Sequence, residues 1–327
     1  MIHIAAVGTG SIVEKMIDAM HQVEGVHPCA VYSRSMEKAR SFQLDQAYDS
    51  LEDMLRDELV DAVYIASPNS LHYEHTLACL EAGKHVLCEK PFASNLNEAE
   101  VMQQKAEDTG LILMEAITTT YLPNYQQLHS LIEEIAPVRV VQCNYSQYSS
   151  RYGKLLNGEE PNVFQPAFSG GALMDINVYN LHFLAGLFGR PDDVQYRAAM
   201  YENGIDTSGT ALFSYKGFSA SAVGSKDTAA ESFVQIQGEN GSIRIPGGAN
   251  GCRVVEQWTN EEKKIHTVDQ AENTMVYELD FFRRLVNGEE TDTGIRQTKL
   301  VMEMMTKARE SAGIRFPADR KNRQPGE

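Results

Sequence analysis

The sequence predicts an α/β domain built on a parallel sheet, followed by an α+β domain with a large, open, mainly antiparallel sheet. In the first 120 residues, short apolar runs alternate with amphipathic stretches, which is the pattern of parallel β-α-β units. Beyond them, Tyr- and Ser-rich runs of alternating polarity follow one another without helices between them. Because 327 residues exceed what one core usually supports, we predict domains at 1–120 and 121–327.

The composition narrows the classes of partner. A formal net charge of -16 argues against nucleic acid or an anionic membrane, which clustered Lys and Arg would bind. No run approaches the roughly 18 to 20 apolar residues of a membrane span, and the N-terminus lacks the pattern of a signal peptide. The five cysteines are an odd number without a C-x-x-C pair, which indicates reduced thiols. We therefore expect a cytoplasmic protein with a small-molecule substrate and no disulfide.

The first domain begins with a strand, a turn and a helix. Residues 2–7 are apolar and end at Gly8-Thr9-Gly10, and Ile12, Met16 and Val23 then share one helical stripe. Ser94 or Asn95 with Glu98 gives a capping signal for a later helix. The other predicted strands lie at 29–33, 61–67, 84–89 and 111–116, with helices at 70–82 and 96–109.

The second domain is predicted from its alternating runs. "FVQIQG" and "GSIRIP" flank the residues "GENG", which favour a hairpin turn. Helical patterns at 171–188 and 274–313 make this half α+β. The predicted strands lie at 138–149, 193–201, 210–216, 218–225, 233–238 and 241–246.

The glycine turn after the first strand predicts a Rossmann dinucleotide-binding domain. The first glycine allows the tight turn, the second lets a pyrophosphate approach the backbone, and the following helix supplies N–H groups. Val13 departs from the Gly or Ala expected at the third position, so the β-α-β context supports the assignment more than the motif does. The predicted contacts here are Gly8, Thr9, Gly10, Ser11 and Ile12.

The end of the second strand indicates the cofactor. An NAD enzyme usually has an acid there for the ribose hydroxyls, whereas this chain has Ser33 and Arg34. A hydroxyl and a guanidinium suit a 2'-phosphate, so NADP is predicted, with NAD possible. The alternative is that Arg34 is an exposed loop arginine.

The segment "ASPNSLHYEH" lies at a strand end where open parallel sheets bind ligands. The predicted cofactor contacts here are Ala66, Ser67, Pro68, Asn69 and His72. His72, His75 and Cys79 could share a helical face, but no fourth ligand is evident, so no metal site is predicted.

The run "KHVLCEKP" places Glu89 and Lys90 at the end of a strand in the same sheet. Lys90 could donate a proton to a carbonyl oxygen that receives hydride, while Pro91 restricts the geometry of Lys90. Glu89 either pairs with Lys90 or lines the nicotinamide site. A solvated strand end is the simpler alternative.

The segments "AAVGTGSI", "AGKHVLCEKP", "MEA", "SGGALMDINVYNLH" and "GIRFP" together resemble the Gfo/Idh/MocA family of oxidoreductases. The resemblance implies a nicotinamide cofactor and a second domain whose open sheet serves homo-oligomerisation, as a dimer or tetramer. It implies Lys90 as the proton-transfer lysine and Asp175 as an acid that places the substrate. Many members have a histidine where this chain has Tyr179. In this respect the chain resembles the branch that contains glucose-fructose oxidoreductase and dihydrodiol dehydrogenases. Glu115, in "MEA", joins the predicted cofactor contacts.

The spacing of the substrate candidates also suits one helix. Asp175, Tyr179 and His182 lie at i, i+4 and i+7, which places them on one helical face. Tyr179 is the predicted catalytic group with Lys90 and Asp175, and His182 is the reserve acid-base residue; core packing is the alternative for each. Tyr121 is a further substrate candidate, although tyrosines in such a stretch also serve as packing residues.

Family members often have an arginine at the position of Thr120, so a charged substrate contact is absent here. The sequence therefore predicts an NADP-dependent oxidoreductase that transfers hydride between nicotinamide and a sugar, a diol or a related polyhydroxylated carbonyl or alcohol. The alternative is a catalytically silent NADP-binding regulator on the same scaffold, because fold does not fix function.

Overall fold

The computed structural model describes residues 1–259 and 262–321. The chain divides into two compact units, Met1–Thr118 with Ala271–Thr298, and Thr119–Gln270 with Lys299–Glu327. The sequence prediction had assigned all residues after 120 to the second domain, whereas Ala271–Thr298 packs within the first unit. The helix that this segment contains lies against the first helix of the chain. The predicted end of the second domain, residues 322–327, lies outside the described residues.

The first unit contains a six-stranded parallel sheet in the order β3-β2-β1-β4-β5-β6. Each predicted strand is confirmed, and β3 was missed because its three residues form no apolar run. The strands are β1 (Ile2–Val7), β2 (Val26–Tyr32), β3 (Gln46–Tyr48), β4 (Ala62–Ile65), β5 (His85–Glu89) and β6 (Leu113–Ala116). The helices are α1 (Ser11–Gln22), α2 (Met36–Arg40), α3 (Leu51–Arg56), α4 (His72–Glu81), α5 (Leu96–Thr109) and α10 (Met275–Val286).

The predicted capping signal at α5 is confirmed. The Asn95 side chain accepts a hydrogen bond from the Glu98 backbone N–H at 3.0 Å, and the Glu98 carboxylate accepts one from the Ser94 N–H at 2.9 Å. These reciprocal bonds satisfy donors that the helix start would otherwise leave without partners. They fix the chain a few residues after Lys90.

The second unit contains an eight-stranded sheet in the order β14-β13-β12-β11-β7-β10-β9-β8. β7 and β10 pair in parallel, and the other neighbours pair antiparallel, so the predicted mainly antiparallel sheet is confirmed. The strands are β7 (Val138–Ser146), β8 (Asp193–Met200), β9 (Asp206–Tyr215), β10 (Phe218–Ser225), β11 (Phe233–Gly238), β12 (Gly241–Pro246), β13 (Val255–Thr259) and β14 (Lys263–His266). The helices are α6 (Pro123–Gln126), α7 (Leu128–Ile135), α8 (Tyr152–Leu156), α9 (Val178–Phe188) and α12 (Ala318–Lys321). Helix α11 (Ile295–Ala312) begins in the first unit and belongs to the second from Lys299 onward.

Both long helices predicted for the second half are interrupted. The first divides into a π-helix at Leu173–Asn177 and then α9. The second divides into α10 and α11, with Gly288 and Gly294 at positive φ between them. Among the described residues, no helix combines the length and apolar character that crossing a bilayer requires. The five cysteines are buried and free.

Candidate functional site

The cofactor candidates of the first unit lie along one edge of its sheet. Strand order reverses between β1 and β4, and open α/β sheets bind ligands in the crevice beyond the carboxyl ends of such strands. The predicted residues at 8–12, 33–34 and 66–69 follow β1, β2 and β4, and those at 89–90 lie at the end of β5. Because parallel strands end on the same side, the structure brings these four segments together at this edge.

Gly8 and Gly10 form an open turn at the start of α1. Gly8 has φ +123°, and a Cβ there would lie 2.6 Å from the carbonyl oxygen of Ala66. A Cβ at Gly10 would meet nothing within 4 Å, and no side chain caps the helix that follows. Bare backbone at a helix start offers N–H groups and a positive dipole end to an anion. The turn therefore fits the pyrophosphate of a dinucleotide.

Thr9 is half-buried in this turn, and Ser11 and Ile12 are exposed in the first turn of α1. Val13, at the third motif position, is fully buried, with its side chain 3.5 Å from the Cβ position of Gly8. Valine therefore packs the helix against the strand where the motif usually has a small residue.

Ser33 and Arg34 directly follow β2. The Ser33 backbone N–H donates to the Tyr48 carbonyl at 3.0 Å, which fixes the strand end, and the Arg34 side chain is exposed. The contact of the Arg34 guanidinium with a ribose phosphate stays a prediction.

His72 ties two loops of this edge together. Its buried ring places Nδ1 at 2.9 Å from the Pro91 carbonyl oxygen and Nε2 at 2.9 Å from that of Ser67. Burial lowers the pKa of His72 to about 4, and the contacts of the ring with the two carbonyl oxygens oppose this fall. The ring therefore supports these two loops, and the contact of His72 with the cofactor stays a prediction.

The metal alternative involved the same helix. His75 places Nδ1 3.0 Å from the Ser67 hydroxyl, while both His72 nitrogens face carbonyls. Within residues 1–259 and 262–321, no group of three or more His, Cys, Asp or Glu side chains is arranged to hold a metal ion.

Lys90 is half-buried at the end of β5, and Glu89 beside it is buried. The Glu89 carboxylate accepts a hydrogen bond from the Tyr64 hydroxyl at 2.6 Å and one from the Lys90 backbone N–H at 3.2 Å. Burial raises the pKa of Glu89, and the Lys90 charge opposes this rise. Glu89 therefore fixes the backbone direction from which the Lys90 side chain leaves the strand.

Glu115 holds the next loop segment. Its carboxylate accepts a hydrogen bond from the Phe92 N–H at 3.1 Å and one from the Thr298 hydroxyl at 2.7 Å. The side chain is buried and supports the loop after Lys90, and the contact of Glu115 with the cofactor stays a prediction.

The sequence analysis missed another buried acid in this unit, Glu278 on α10. Its carboxylate accepts a hydrogen bond from the Thr118 hydroxyl at 3.0 Å. Burial, and then the charges of Glu89 and Glu115, raise the pKa of Glu278 well above its usual value. Its signal was a glutamate in phase with the apolar stripe of Met275, Leu279 and Phe282.

In the second unit, a double-glycine turn precedes the π-helix. Gly171 has φ +103°, and a Cβ at Gly170 would lie 2.4 Å from the Val163 carbonyl oxygen. The Leu173 backbone N–H donates to the buried Asp206 carboxylate at 2.7 Å. These contacts explain the glycines of "SGGALMD" and hold the start of the π-helix.

Asp175 and Tyr179 are the half-exposed residues of an otherwise buried stretch. Every other residue from 171 to 185 is buried, including His182. The prediction of one α-helical face for all three residues is corrected, because the π-helix bonds i to i+5 and changes the angular register before α9. Asp175 and Tyr179 remain accessible together, whereas His182 is in the core.

Asp175 and Tyr179 each contact a side chain of the second unit that the sequence analysis did not identify. Lys226 forms an ion pair with Asp175, and the Tyr145 ring lies edge-on to Tyr179 with centroids 5.7 Å apart. The signal for Lys226 was a lysine in phase with the buried positions of β10.

Tyr121 is half-buried at the end of a short 3-10 helix, Thr118–Tyr121. Tyr125, four residues later, is buried and packs edge-on against Phe183, with ring centroids 5.5 Å apart. Tyr125 is therefore a core residue of the second unit.

Comparison with known proteins identifies both domains. Residues 2–117 match the model of an oxidoreductase family with an NAD-binding Rossmann fold, and residues 125–244 match the GFO/IDH/MocA C-terminal domain. The chain is 38% identical to the uncharacterized oxidoreductase YgjR of Escherichia coli, over 98% of this chain and 99% of the relative. It is 37% identical, with the same coverage, to the NADP(+)-dependent scyllo-inositol 2-dehydrogenase IolU of Bacillus subtilis.

A similar solved structure is KijD10, a 3-ketoreductase from Actinomadura kijaniata in complex with NADP and TDP-benzene. The TM-score is 0.84 at 21% identity, over 95% of this chain and 98% of that chain, which establishes the shared fold. Taken with both domain models and the near full-length relatives, this shows that the chain belongs to the Gfo/Idh/MocA family of nicotinamide-dependent oxidoreductases.

Proposed function

We propose that this protein is an NADP-dependent oxidoreductase that transfers hydride between nicotinamide and a carbon of a sugar, an inositol or a diol. The observation that carries the proposal is the position of Lys90, at the end of β5, on the same sheet edge as the Gly8–Gly10 turn. The similarity to the inositol dehydrogenase IolU supports a polyhydroxylated substrate.

The preference for NADP rests on the residues after β2. Where an NAD enzyme would place a carboxylate, this chain offers the Ser33 hydroxyl and the exposed Arg34 guanidinium. A carboxylate would repel a 2'-phosphate, whereas an arginine donates charge-assisted hydrogen bonds to it. The KijD10 complex has the same fold and contains NADP, which is consistent with this choice.

The bound cofactor supplies or accepts the hydride at C4 of the nicotinamide. During reduction, the carbonyl carbon gains the hydride while its oxygen gains negative charge, and a proton must reach that oxygen to give the alcohol. We assign this proton to the Lys90 ammonium, because its backbone is held by Glu89 and the side chain is half-buried.

The substrate hydroxyls are assigned to Asp175 and Tyr179. A carboxylate accepts hydrogen bonds from two hydroxyls, and a phenol both donates and accepts, so the two side chains suit a polyol. Tyr179 also has the capacity to relay a proton to the reacting oxygen. The buried His182 is less suited to this task than the sequence suggested, because its ring lies in the core. A cytoplasmic location and a homo-oligomeric assembly stay predictions.

The test is transfer of a label by the unmodified protein. NADPH carrying deuterium at C4 is mixed with a panel of keto-inositols, keto-sugars and hydroxyketones, and the products are analysed by mass spectrometry and NMR. We expect deuterium on the new carbinol carbon of at least one polyhydroxylated product. Tight NADPH binding without turnover of any panel member would contradict the proposal and favour a silent regulator.

A further inference from the structure

The second unit contains a buried ammonium group to which the proposed reaction gives no role. Lys226 directly follows β10; its side chain is 9% exposed, and it is ion-paired with Asp175, whose side chain is 30% exposed. Removing a lysine from water is unfavourable unless a partner compensates for the lost hydration. The ion pair is therefore a specific arrangement rather than a surface contact.

The backbone fixes the position of Lys226. Ala222 and Gly224 are buried on one face of β10, and Lys226 continues their two-residue period toward the same side. The Lys226 N–H donates to the Thr207 carbonyl at 2.9 Å, and its own carbonyl accepts from the Ser149 N–H at 2.8 Å. These bonds hold the lysine backbone from two sides.

The π-helix that carries Asp175 is held against the same strand. A Cβ at Gly224 would lie 2.7 Å from the Cβ of Asn177, so the glycine makes room for the helix. The Asn177 amide donates to the Ala222 carbonyl at 3.1 Å, and the Asp175 N–H donates to the Gly171 carbonyl at 3.0 Å. Both partners of the ion pair are thus built on fixed backbone.

The adjacent acid, Asp227, has its own partners. Its carboxylate accepts hydrogen bonds from the hydroxyls of Thr207 at 2.7 Å, Ser225 at 2.8 Å and Ser208 at 3.1 Å. Burial would raise the pKa of Asp227, but these hydroxyls outweigh it and hold the pKa below its usual value. Three hydroxyl donors satisfy this carboxylate, while the Lys226 ammonium pairs with Asp175.

We propose that Lys226 is a positioning residue that orients the Asp175 carboxylate to receive a substrate hydroxyl. The inference rests on the proposed function, because it requires Asp175 to bind substrate. Since the lysine offsets the charge of the aspartate, the pair as a whole is neutral.

The test is a double-mutant cycle on the steady-state kinetics of the best polyol substrate. Lys226→Met and Asp175→Asn should each lower kcat/KM by about tenfold or more, mainly through KM, the loss of one charge-assisted contact. The double variant should be little worse than Asp175→Asn alone, because Lys226 acts through that carboxylate. Lys226→Arg should recover part of the loss, since it keeps the cation.

A matched control separates positioning from stability. Lys84 is also nearly buried, and its ammonium donates to the Asp57 carbonyl at 2.9 Å in the first unit. Lys84→Met should lower the thermal midpoint and leave KM for the polyol unchanged. NADPH affinity should stay within about threefold in the Lys226 variants, below 1 kcal/mol, which also shows that they fold. If Lys226→Met fails to fold, the cycle is run with Lys226→Gln and Lys226→Arg.

Two outcomes overturn the inference, and they differ. If Asp175→Asn lowers kcat/KM but the losses of Asp175→Asn and Lys226→Met are independent and multiply, Lys226 has a structural role and the proposed function stands. If Asp175→Asn leaves kcat/KM unchanged, the assignment of Asp175 in the proposed function is wrong and the inference falls with it.

Discussion

Alanine at Gly8 and at Gly10 should harm the protein in different ways. At Gly8 the backbone has φ +123°, and a Cβ would lie 2.6 Å from the Ala66 carbonyl oxygen, so both backbone strain and a clash arise. A residue forced into such a conformation costs about 1 to 3 kcal/mol, and we expect Gly8→Ala to lose about 2 kcal/mol or more of unfolding free energy. At Gly10, φ is -84° and the Cβ would meet nothing within 4 Å, so the free energy of unfolding should stay within about 0.5 kcal/mol.

For NADPH binding, Gly10 is the more informative of the two positions. A methyl group at Gly10 occupies the open space over the start of α1, where we place the pyrophosphate. Gly10→Ala should therefore weaken NADPH binding by about tenfold or more, about 1.4 kcal/mol, in a protein of normal stability. Urea unfolding and NADPH fluorescence titration measure the two quantities on the same samples. Normal NADPH affinity in Gly10→Ala would refute the placement of the pyrophosphate at the start of α1. Normal stability in Gly8→Ala would refute the predicted backbone strain and clash at Gly8.

Two further substitutions test the charges of the first unit. Arg34→Ala should weaken NADPH binding by about 1.5 to 3 kcal/mol, while NADH binding changes little. The control Arg56→Ala removes the same charge from α3 and should leave the binding of both cofactors unchanged. Equal losses of NADPH and NADH binding in Arg34→Ala would contradict the NADP assignment. The second substitution concerns Glu278, whose pKa is raised in the folded state. As pH rises, the unfolded chain releases this proton near the usual pKa of 4.5, while the folded protein still holds it. The free energy of unfolding therefore falls as pH rises, until the folded pKa is passed. Glu278→Gln removes this pH dependence, which is at most about 1.4 kcal/mol per pH unit. The unfolding free energy of Glu278→Gln, measured by urea titration, should therefore exceed that of the unmodified protein by an amount that grows from pH 5 to pH 8. If the unfolding free energies of the two proteins change with pH in parallel, Glu278 is not the group responsible.

The architecture was predictable because its signals are local. Five apolar runs gave five of the six strands of the first sheet, and the glycine turn was recognised from its place between β1 and α1. β3 was not predictable in this way, since only its pairing with β2 makes its three residues a strand. The division of the chain was also beyond local patterns, because α10 joins the first unit through packing against α1.

The candidate site was predictable where residues end strands and less so where burial decides their role. Lys90 and Arg34 follow strands, so their position at the carboxyl ends of the sheet could be predicted from the order of strands and helices alone. The sequence did not show that His72 and Glu115 are buried and hold loops, because burial depends on neighbours distant in sequence. Lys226 was missed because its role depends on the ion pair with Asp175, which is 51 residues away in the sequence.

The kinetics of Lys90→Met test the central claim most directly. The substitution keeps the length of the side chain and removes the charge, while Lys105→Met, on half-buried Lys105 of α5, serves as the control. With a turned-over polyol, Lys90→Met should lower kcat by about 10²-fold or more and leave NADPH affinity within about threefold, whereas the control should behave as the unmodified protein. Near-normal turnover in Lys90→Met, with activity abolished by His182→Ala, would contradict the account and move the acid-base role to the core histidine.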